Sequence, residues 1–135
     1  MRYMAPSVLA RRFPAQADQV RLARRAVAAY AREHGAVDPD GIALAVSEAV
    51  TNAVVHAYID AASPGDVEVF ARRDPDDGIE IHVCDDGRGM MPRRDSPGLG
   101  VGLPLVAKLA QRFKVETRPG GGTAISMLFA VHDHA

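Results

Sequence analysis

Three polar side chains at a regular spacing interrupt a mostly apolar segment between Asp38 and Tyr58. Glu48, Asn52 and His56 are four residues apart, so on an α-helix they form one stripe along one side. The other residues are mostly Ala, Val, Leu and Ile, which predicts that most of this helix is buried. A buried carboxylate costs free energy unless it is paired, hydrogen-bonded or facing a cavity. The stripe therefore indicates either polar partners elsewhere in the core or a bound ligand.

Three glycines, Gly98, Gly100 and Gly102, come just before a predicted helix. Glycines let the backbone approach a ligand closely, and a helix N-terminus offers free N–H groups that suit phosphate. Their spacing does not match the dinucleotide fingerprint, and no Gly-Lys-Ser/Thr follows, so neither a Rossmann site nor a P-loop is predicted. Taken alone, a purely structural turn explains the same glycines equally well.

Asp85 closes a predicted strand and is followed by Gly87 and Gly89. Its carboxylate is placed to accept a hydrogen bond from an exocyclic amine, and the two glycines leave room for a flat ring. In isolation, an ordinary β-turn is the commoner explanation of an Asp at this position.

The elements that must position these residues follow the order strand, helix, helix, two strands, helix, two strands. The predicted ranges are strands at 7–13, 67–73, 79–84, 115–117 and 123–131, and helices at 16–34, 38–58 and 104 to about 113. Adjacent strand pairs with segregated helices favour an α+β fold, a sandwich of one mixed or antiparallel sheet with three helices on one face.

The period of two in the strands predicts which side chains face the helices. Ile79, Ile81 and Val83 share one face, whereas Glu80, His82 and Cys84 share the other; in the last strand the inward side chains are Ile125, Met127 and Phe129. The covered face should therefore be aliphatic and the other face polar.

Length and composition fit a single domain over residues 1–135. The 16 basic and 17 acidic side chains nearly cancel, which argues against nucleic acid as the main partner. One cysteine excludes an internal disulfide and fits a reducing compartment. No apolar run approaches the roughly 18 residues of a membrane span, and no signal peptide is recognised, so we expect a cytoplasmic protein with no membrane partner. Basic residues collect early, on a solvated helix face or a protein-binding surface: Arg11, Arg12, Arg21, Arg24, Arg25 and Arg32.

Four motifs stand in a fixed order along residues 38–130: Glu48 with Asn52, Asp85 with Gly87 and Gly89, the three glycines before a helix, and Gly122-Thr123. This set resembles the ATP-binding domain of the Bergerat type that gyrase, histidine kinases, MutL repair proteins and a heat-shock chaperone share, the GHKL superfamily. Within this superfamily, the segment SEAVTNAVVHAY most resembles the anti-sigma factor serine/threonine kinases, the RsbW-like regulators of bacteria.

The resemblance implies a nucleotide site. Asn52 would coordinate a Mg²⁺ ion bridging the phosphates of ATP, and Asp85 would receive the adenine amino group. Gly87 and Gly89 would flank the base, and Thr123 would help to fix it.

The resemblance also implies a reaction. The glycine-rich turn with Gly98 would bind the phosphates, with Gly100 and Gly102 supplying backbone N–H groups. Glu48 would be the general base that accepts the proton of a serine or threonine hydroxyl on a partner protein during γ-phosphoryl transfer. The partners implied are a sigma factor and a STAS-domain anti-sigma-factor antagonist, and the kinase would be a homodimer.

Two alternatives remain open. A non-catalytic ATP-binding anti-sigma module would switch partners by nucleotide state alone. A detached histidine-kinase catalytic domain would carry Asn where this chain has Glu48, and it needs a separate helical pair bearing the phosphoacceptor histidine.

Three further side chains lie near the motifs. His56 extends the polar stripe, although a hydrogen-bonded core histidine is the simpler interpretation. Arg93 and Arg94 lie in the loop that would close over the triphosphate, where either could stabilise charge, although loop arginines are usually solvated.

Overall fold

The computed structural model of the chain describes residues 8–57, 65–87 and 102–132. Its strands are β1 (Val8–Pro14), β2 (Asp66–Asp74), β3 (Gly78–Asp85), β4 (Arg112–Thr117) and β5 (Thr123–Phe129). Its helices are α1 (Val20–Glu33), α2 (Pro39–Asn52) and α3 (Gly102–Leu109), with a 3-10 turn at Ala17–Gln19 and a π-helical turn at Ala53–Ala57. This is the element order that the sequence predicts, and it confirms the α+β class.

The described strands form one antiparallel sheet in the order β1-β2-β3-β5-β4. A mixed sheet, which the sequence had left open, is therefore wrong for these strands. Short turns join β2 to β3 and β4 to β5, and tight turns can join only antiparallel neighbours. The pairing of β3 with β5 places Asp85 directly opposite Thr123.

The start of α2 follows the rules for a helix N-terminus. The Asp38 side chain accepts a hydrogen bond from the backbone N–H of Gly41 at 3.0 Å, and Pro39 occupies the first turn, where its missing N–H is not needed. The helix ends earlier than predicted, because α-helical geometry stops at Asn52 and residues Ala53–Ala57 form a π-helical turn. Glu48 and Asn52 therefore lie in the α-helical part of the segment, and His56 lies in its π-helical turn.

The third helix also ends earlier than predicted. It stops at Leu109, and residues that the sequence assigned to its last turn belong to β4. Phe113 pairs with Met127 of β5 and is half-buried there. Pairing along a neighbouring strand outweighs local helix propensity in so short a segment.

The core lies between the helices and one face of the sheet. The predicted inward side chains of β3 and β5 are all buried in it: Ile79, Ile81, Val83, Ile125, Met127 and Phe129. On the opposite face, which we call the outer face, Glu80, His82 and Cys84 are half-buried, as the alternation predicts. A hydrogen bond from the Arg73 backbone N–H to the Tyr30 hydroxyl, 2.8 Å long, ties β2 to α1.

The six early arginines all have exposed side chains, as expected for a solvated face. Among the helices of the described segments, none has the length and apolar character needed to cross a membrane.

Candidate functional site

The last turn of α2 carries Glu48 and Asn52 on one side of the helix. Glu48 is half-buried and makes no hydrogen bond or ion pair with another described residue. Asn52 is only 5% exposed, and its Nδ2 atom is buried without a hydrogen-bond partner in the described part of the chain. Buried polar atoms in proteins are nearly always hydrogen-bonded, so an unmet one indicates a missing partner. Rotation of the amide exchanges Nδ2 and Oδ1, so the same position can present an oxygen to a cation.

Asp85 lies at the end of β3 and is only 4% exposed. Burial raises the pKa of its carboxyl group, and hydrogen bonds from the backbone N–H groups of Gly87 and Thr123 partly offset that rise. The bond from Gly87 reaches Oδ1 at 2.9 Å. A buried acceptor of this kind can recognise an amine by hydrogen bonding, because little water competes for it.

Thr123 begins β5 directly opposite Asp85 in the sheet and is 2% exposed. Asp85 ends β3 and Thr123 begins β5, so the antiparallel pairing of these strands brings the second and fourth motifs together. This juxtaposition depends on the sheet, since 37 residues separate the two positions in the sequence.

Two glycines allow close backbone approach at this end of the sheet. A Cβ atom at Gly87 would overlap the carbonyl oxygen of Ala57, which lies at the end of the π-helical turn after Asn52. A Cβ atom at Gly122 would overlap the carbonyl oxygen of Asp85, and Gly122 also has a positive φ of 97°. The glycines therefore let the end of β3 contact the end of the helix on one side and the β4–β5 turn on the other.

Arg118 is a member of the site that the sequence interpretation missed. Its Nη1 atom donates to the backbone oxygen of Asp85 at 3.1 Å and to Oδ1 of Asp86 at 2.9 Å. These two hydrogen bonds connect the segment after β3 to the β4–β5 turn. The only sequence signal was its position at the start of the Arg-Pro-Gly-Gly-Gly turn, which gives no indication of its partner.

The remaining predicted site residues are distributed as follows. Gly102 begins α3, as expected for the last glycine of the turn. Gly89, Gly98, Gly100, Arg93 and Arg94 lie outside the described residues. His56 is half-buried in the π-helical turn, and its assignment as a core histidine stays a prediction.

No cluster of three or more His, Cys, Asp or Glu side chains that could hold a metal occurs within residues 8–57, 65–87 and 102–132. A magnesium ion bound mainly by nucleotide phosphates needs only one or two protein oxygens, so the Asn52 position is compatible with it. The described residues therefore fit a nucleotide carrying a divalent cation: the Asn52 amide, whose Nδ2 has no partner among them, for the cation, and the desolvated carboxylate of Asp85 for an amine.

Comparisons with known proteins agree with this geometry. Residues 13–129 match the family described as the histidine kinase-like ATPase domain. The chain is 33% identical over 132 residues to an anti-sigma F factor of Clostridium acetobutylicum, a match that covers 86% of this chain and 88% of the relative. It is 31% identical over 132 residues, with the same coverage, to an anti-sigma F factor of Caldanaerobacter subterraneus. A blue-light-activated histidine kinase 2 of Erythrobacter litoralis is 38% identical over 90 residues, which are 64% of this chain and 26% of that protein.

Proposed function

This chain belongs to the histidine kinase-like ATPase family, and from that premise we propose that it is an ATP-dependent anti-sigma factor. We propose further that it is a serine/threonine protein kinase whose substrate is a STAS-type anti-sigma-factor antagonist. The anti-sigma F factors to which it is similar over most of its length support the first part. The second part rests on the polar pair of α2.

The single observation that carries the proposal is the burial of the Asn52 side-chain amide without a hydrogen-bond partner for its Nδ2 in the described residues. This amide lies one turn after a carboxylate, Glu48, that also has no partner there. Two neighbouring polar groups that find no partner among the described residues, on a helix buried along most of its length, are explained by a ligand that supplies the partners. Mg²⁺ bound with ATP has the charge and oxygen preference that such a site would meet.

Each residue of the site then has one task. Asn52 would hold the cation, whose positive charge neutralises the phosphate oxygens. Asp85 would accept a hydrogen bond from the adenine amino group, and Thr123 would orient the base beside it. Gly87 and Gly89 would flank the base.

The phosphates would be bound by backbone N–H groups of the glycine-rich turn at Gly98, Gly100 and Gly102, next to the N-terminus of α3. Glu48 would accept the proton of the serine or threonine hydroxyl while that oxygen forms its bond to the γ-phosphorus and the bond to the ADP oxygen breaks. Orientation of the two reactants and charge neutralisation would supply most of the rate enhancement.

The proposal includes the setting of the reaction. The partners would be a sigma factor, which the protein binds, and the antagonist, which competes for it and is inactivated by phosphorylation. We propose a single domain over residues 1–135 that works as a cytoplasmic homodimer.

Nucleotide binding is tested first, by thermal unfolding with and without ATP and Mg²⁺. A ligand at 100 times its dissociation constant stabilises the native state by about 2.7 kcal/mol, so a clear rise in the unfolding midpoint is expected. ATP without Mg²⁺ should give a smaller rise. No rise with any adenine nucleotide would contradict the proposal.

Phosphoryl transfer is tested by incubating the protein with γ-labelled ATP, Mg²⁺ and candidate STAS proteins. Glu48→Gln should lower the rate of label transfer about 10²–10⁴-fold, the usual contribution of a general base, while the ATP-induced rise in midpoint is kept. Glu33→Gln, an exposed carboxylate on α1, is the matched control and should transfer at the wild-type rate. Label transfer that is unchanged in Glu48→Gln would exclude the general-base role. Binding of ATP without transfer to any partner would favour the non-catalytic module instead.

A further inference from the structure

Four side chains on the outer face of the sheet form a continuous hydrogen-bonded chain. Arg72 of β2 donates to Oε2 of Glu80 at 2.7 Å, and Oε1 of Glu80 is 3.1 Å from Nε2 of His82. The other ring nitrogen, Nδ1 of His82, is 3.0 Å from Oγ of Ser126 on β5. We call these residues the outer-face network. None of them belongs to the candidate nucleotide site.

The protonation states in the network follow from its chemistry. An ionised carboxylate can only accept hydrogen bonds, so Nε2 of His82 must carry the proton in the bond to Glu80. In the neutral ring Nδ1 then has a free lone pair and accepts the hydroxyl proton of Ser126. The hydrogen bond from Arg72 is the main cause that lowers the pKa of Glu80, which keeps that carboxylate ionised.

This arrangement has the polarity of a serine nucleophile with its base. The hydroxyl donates to an imidazole nitrogen, and the opposite nitrogen donates to a carboxylate that fixes the tautomer. The strand register supports this arrangement, because His82 of β3 and Ser126 of β5 lie directly opposite each other in the sheet. Rigid neighbouring strands therefore hold the base and the hydroxyl together.

A solvent-open cavity of about 580 Å³ lies beside the hydroxyl. Its lining includes Ser126, Leu128 and Lys114. Lys114 of β4 is the cross-strand partner of Ser126, which puts an ammonium group on the same face of the sheet. Half-buried Phe113 also lines the cavity, which gives a place for a short acyl chain. The Lys114 ammonium, which lies 3.5 Å from Oε1 of Glu116, provides a cation for the oxygen that gains negative charge.

We propose that Ser126 is an activated nucleophile and that the outer face catalyses slow acyl transfer from small activated carboxylic esters to Ser126 and then to water. In the first step Ser126 Oγ forms a bond to the carbonyl carbon, and its proton moves to Nδ1 of His82. The bond from that carbon to the leaving oxygen then breaks, and His82 returns the proton to the leaving group, which departs as an alcohol or phenol.

In the second step a water molecule attacks the acyl carbon while His82 takes its proton. The bond between Ser126 Oγ and the carbon breaks, Oγ regains the proton, and a carboxylic acid is released. Water is the only co-reactant. This activity is independent of ATP, because the outer face lies opposite the core and its cavity is lined by none of the proposed nucleotide-binding residues.

The experiment uses the full chain with p-nitrophenyl acetate and no nucleotide. It follows nitrophenolate release and locates the acetyl group by peptide mass spectrometry. The expected result is acetylation of Ser126, lost in Ser126→Ala and slowed about 100-fold in His82→Gln, within the usual contribution of a general base. His132→Gln removes an exposed histidine away from this cavity and should acetylate at the wild-type rate. Circular dichroism establishes that each variant folds.

Glu80 acts through His82, so its test needs a second measurement. Glu80→Gln should slow acetylation less than His82→Gln does and should also change the ¹⁵N chemical shifts of the His82 ring, because a neutral amide no longer fixes one tautomer. Acetylation only at lysines or Cys84, or acetylation of Ser126 at the same rate in folded His82→Gln, would overturn the proposal and leave the network a structural one.

Discussion

Polar side chains on the two sides of the sheet differ in whether the protein itself supplies their partners. On the outer face, each member of the outer-face network is hydrogen-bonded to the next, from Arg72 to Ser126. On the helix-covered side, the Nδ2 atom of Asn52 is buried without a partner in the described residues, and burial raises the pKa of Asp85.

This difference in hydrogen bonding gives the two sides of the sheet different energetic needs for a ligand. The outer-face network is exposed enough to be solvated, so it loses little free energy on folding and needs no ligand. On the covered side, Nδ2 of Asn52 is desolvated without a partner among the described residues, which costs stability in the free protein. Binding energy can recover that cost, and this is why we assign the nucleotide to the covered side.

The largest expected effect on stability comes from adding a side-chain atom where two backbone segments are in close contact on the covered side. Gly122→Ala should lower the free energy of unfolding by about 3 kcal/mol, because overpacking costs about 1–3 kcal/mol and the positive φ adds about 1–2 kcal/mol. Gly120→Ala is the matched control in the same turn, since Gly120 has a positive φ of 84° but no atom within 4 Å of its Cβ position. It should cost only about 1 kcal/mol in urea unfolding. Equal losses would show that the contact with Asp85 is unimportant.

The next effect is on nucleotide affinity. Asp85→Asn should weaken ADP binding about 10–100-fold in calorimetry, because a hydrogen bond to a charged acceptor contributes about 1.5–3 kcal/mol. Asp86→Asn is the control, since Asp86 is exposed and pairs with Arg118. An unchanged affinity in Asp85→Asn would remove this carboxylate from the nucleotide site.

The same variant has a signature in the pH dependence of stability. Burial raises the pKa of Asp85 above its ordinary value of 3.8, so the folded protein holds this proton more tightly than the unfolded chain does. The stability of the wild type relative to Asp85→Asn should therefore be greatest below pH 3.8 and should fall as the pH rises through the raised value. Urea unfolding of both proteins from pH 3 to pH 7 measures this relative stability. An increase in the stability of the wild type relative to Asp85→Asn as the pH rises would contradict the prediction.

A smaller effect is expected from removing the unmet amide. Asn52→Leu should raise the free energy of unfolding of the nucleotide-free protein by about 1–2 kcal/mol, because an apolar group of similar size replaces an amide whose buried Nδ2 has no partner in the described part of the chain. It should also abolish the extra stabilisation that Mg²⁺ adds to ATP. Ser47→Ala is the control, since the buried Ser47 hydroxyl already donates to the carbonyl of Ala43 at 2.9 Å. A loss of stability in Asn52→Leu would mean that the amide has a partner.

The smallest effect should come from the outer face. Arg72→Ala removes an exposed ion pair with Glu80, so the unfolding midpoint should fall only slightly. The difference should vanish in concentrated salt, which screens exposed charges. A large, salt-independent loss would show that the two sides of the sheet do not differ as described.

The fold could be predicted because its strongest signals are local. Period-two alternation identified the buried side chains of β3 and β5, and Asp38-Pro39 marked the start of α2. The predicted end of α3 was wrong because β4 has no alternating pattern in the sequence. It is an edge strand in which Phe113 is half-buried and the neighbours of Phe113 are exposed. Its pairing with β5 is a non-local interaction, and a local pattern cannot report it.

By itself, the sequence determined the spacing of Glu48 and Asn52, the aliphatic face of the sheet and the order of the motifs, because these follow from helix and strand periodicity. Only the tertiary structure decided that Asp85 lies opposite Thr123, that Gly87 and Gly122 leave room for neighbouring backbone, and that Arg118 clamps the segment after β3. The same holds for the outer-face network, whose four members come from three strands. Such contacts depend on strand register and on burial, and both are properties of the folded chain as a whole.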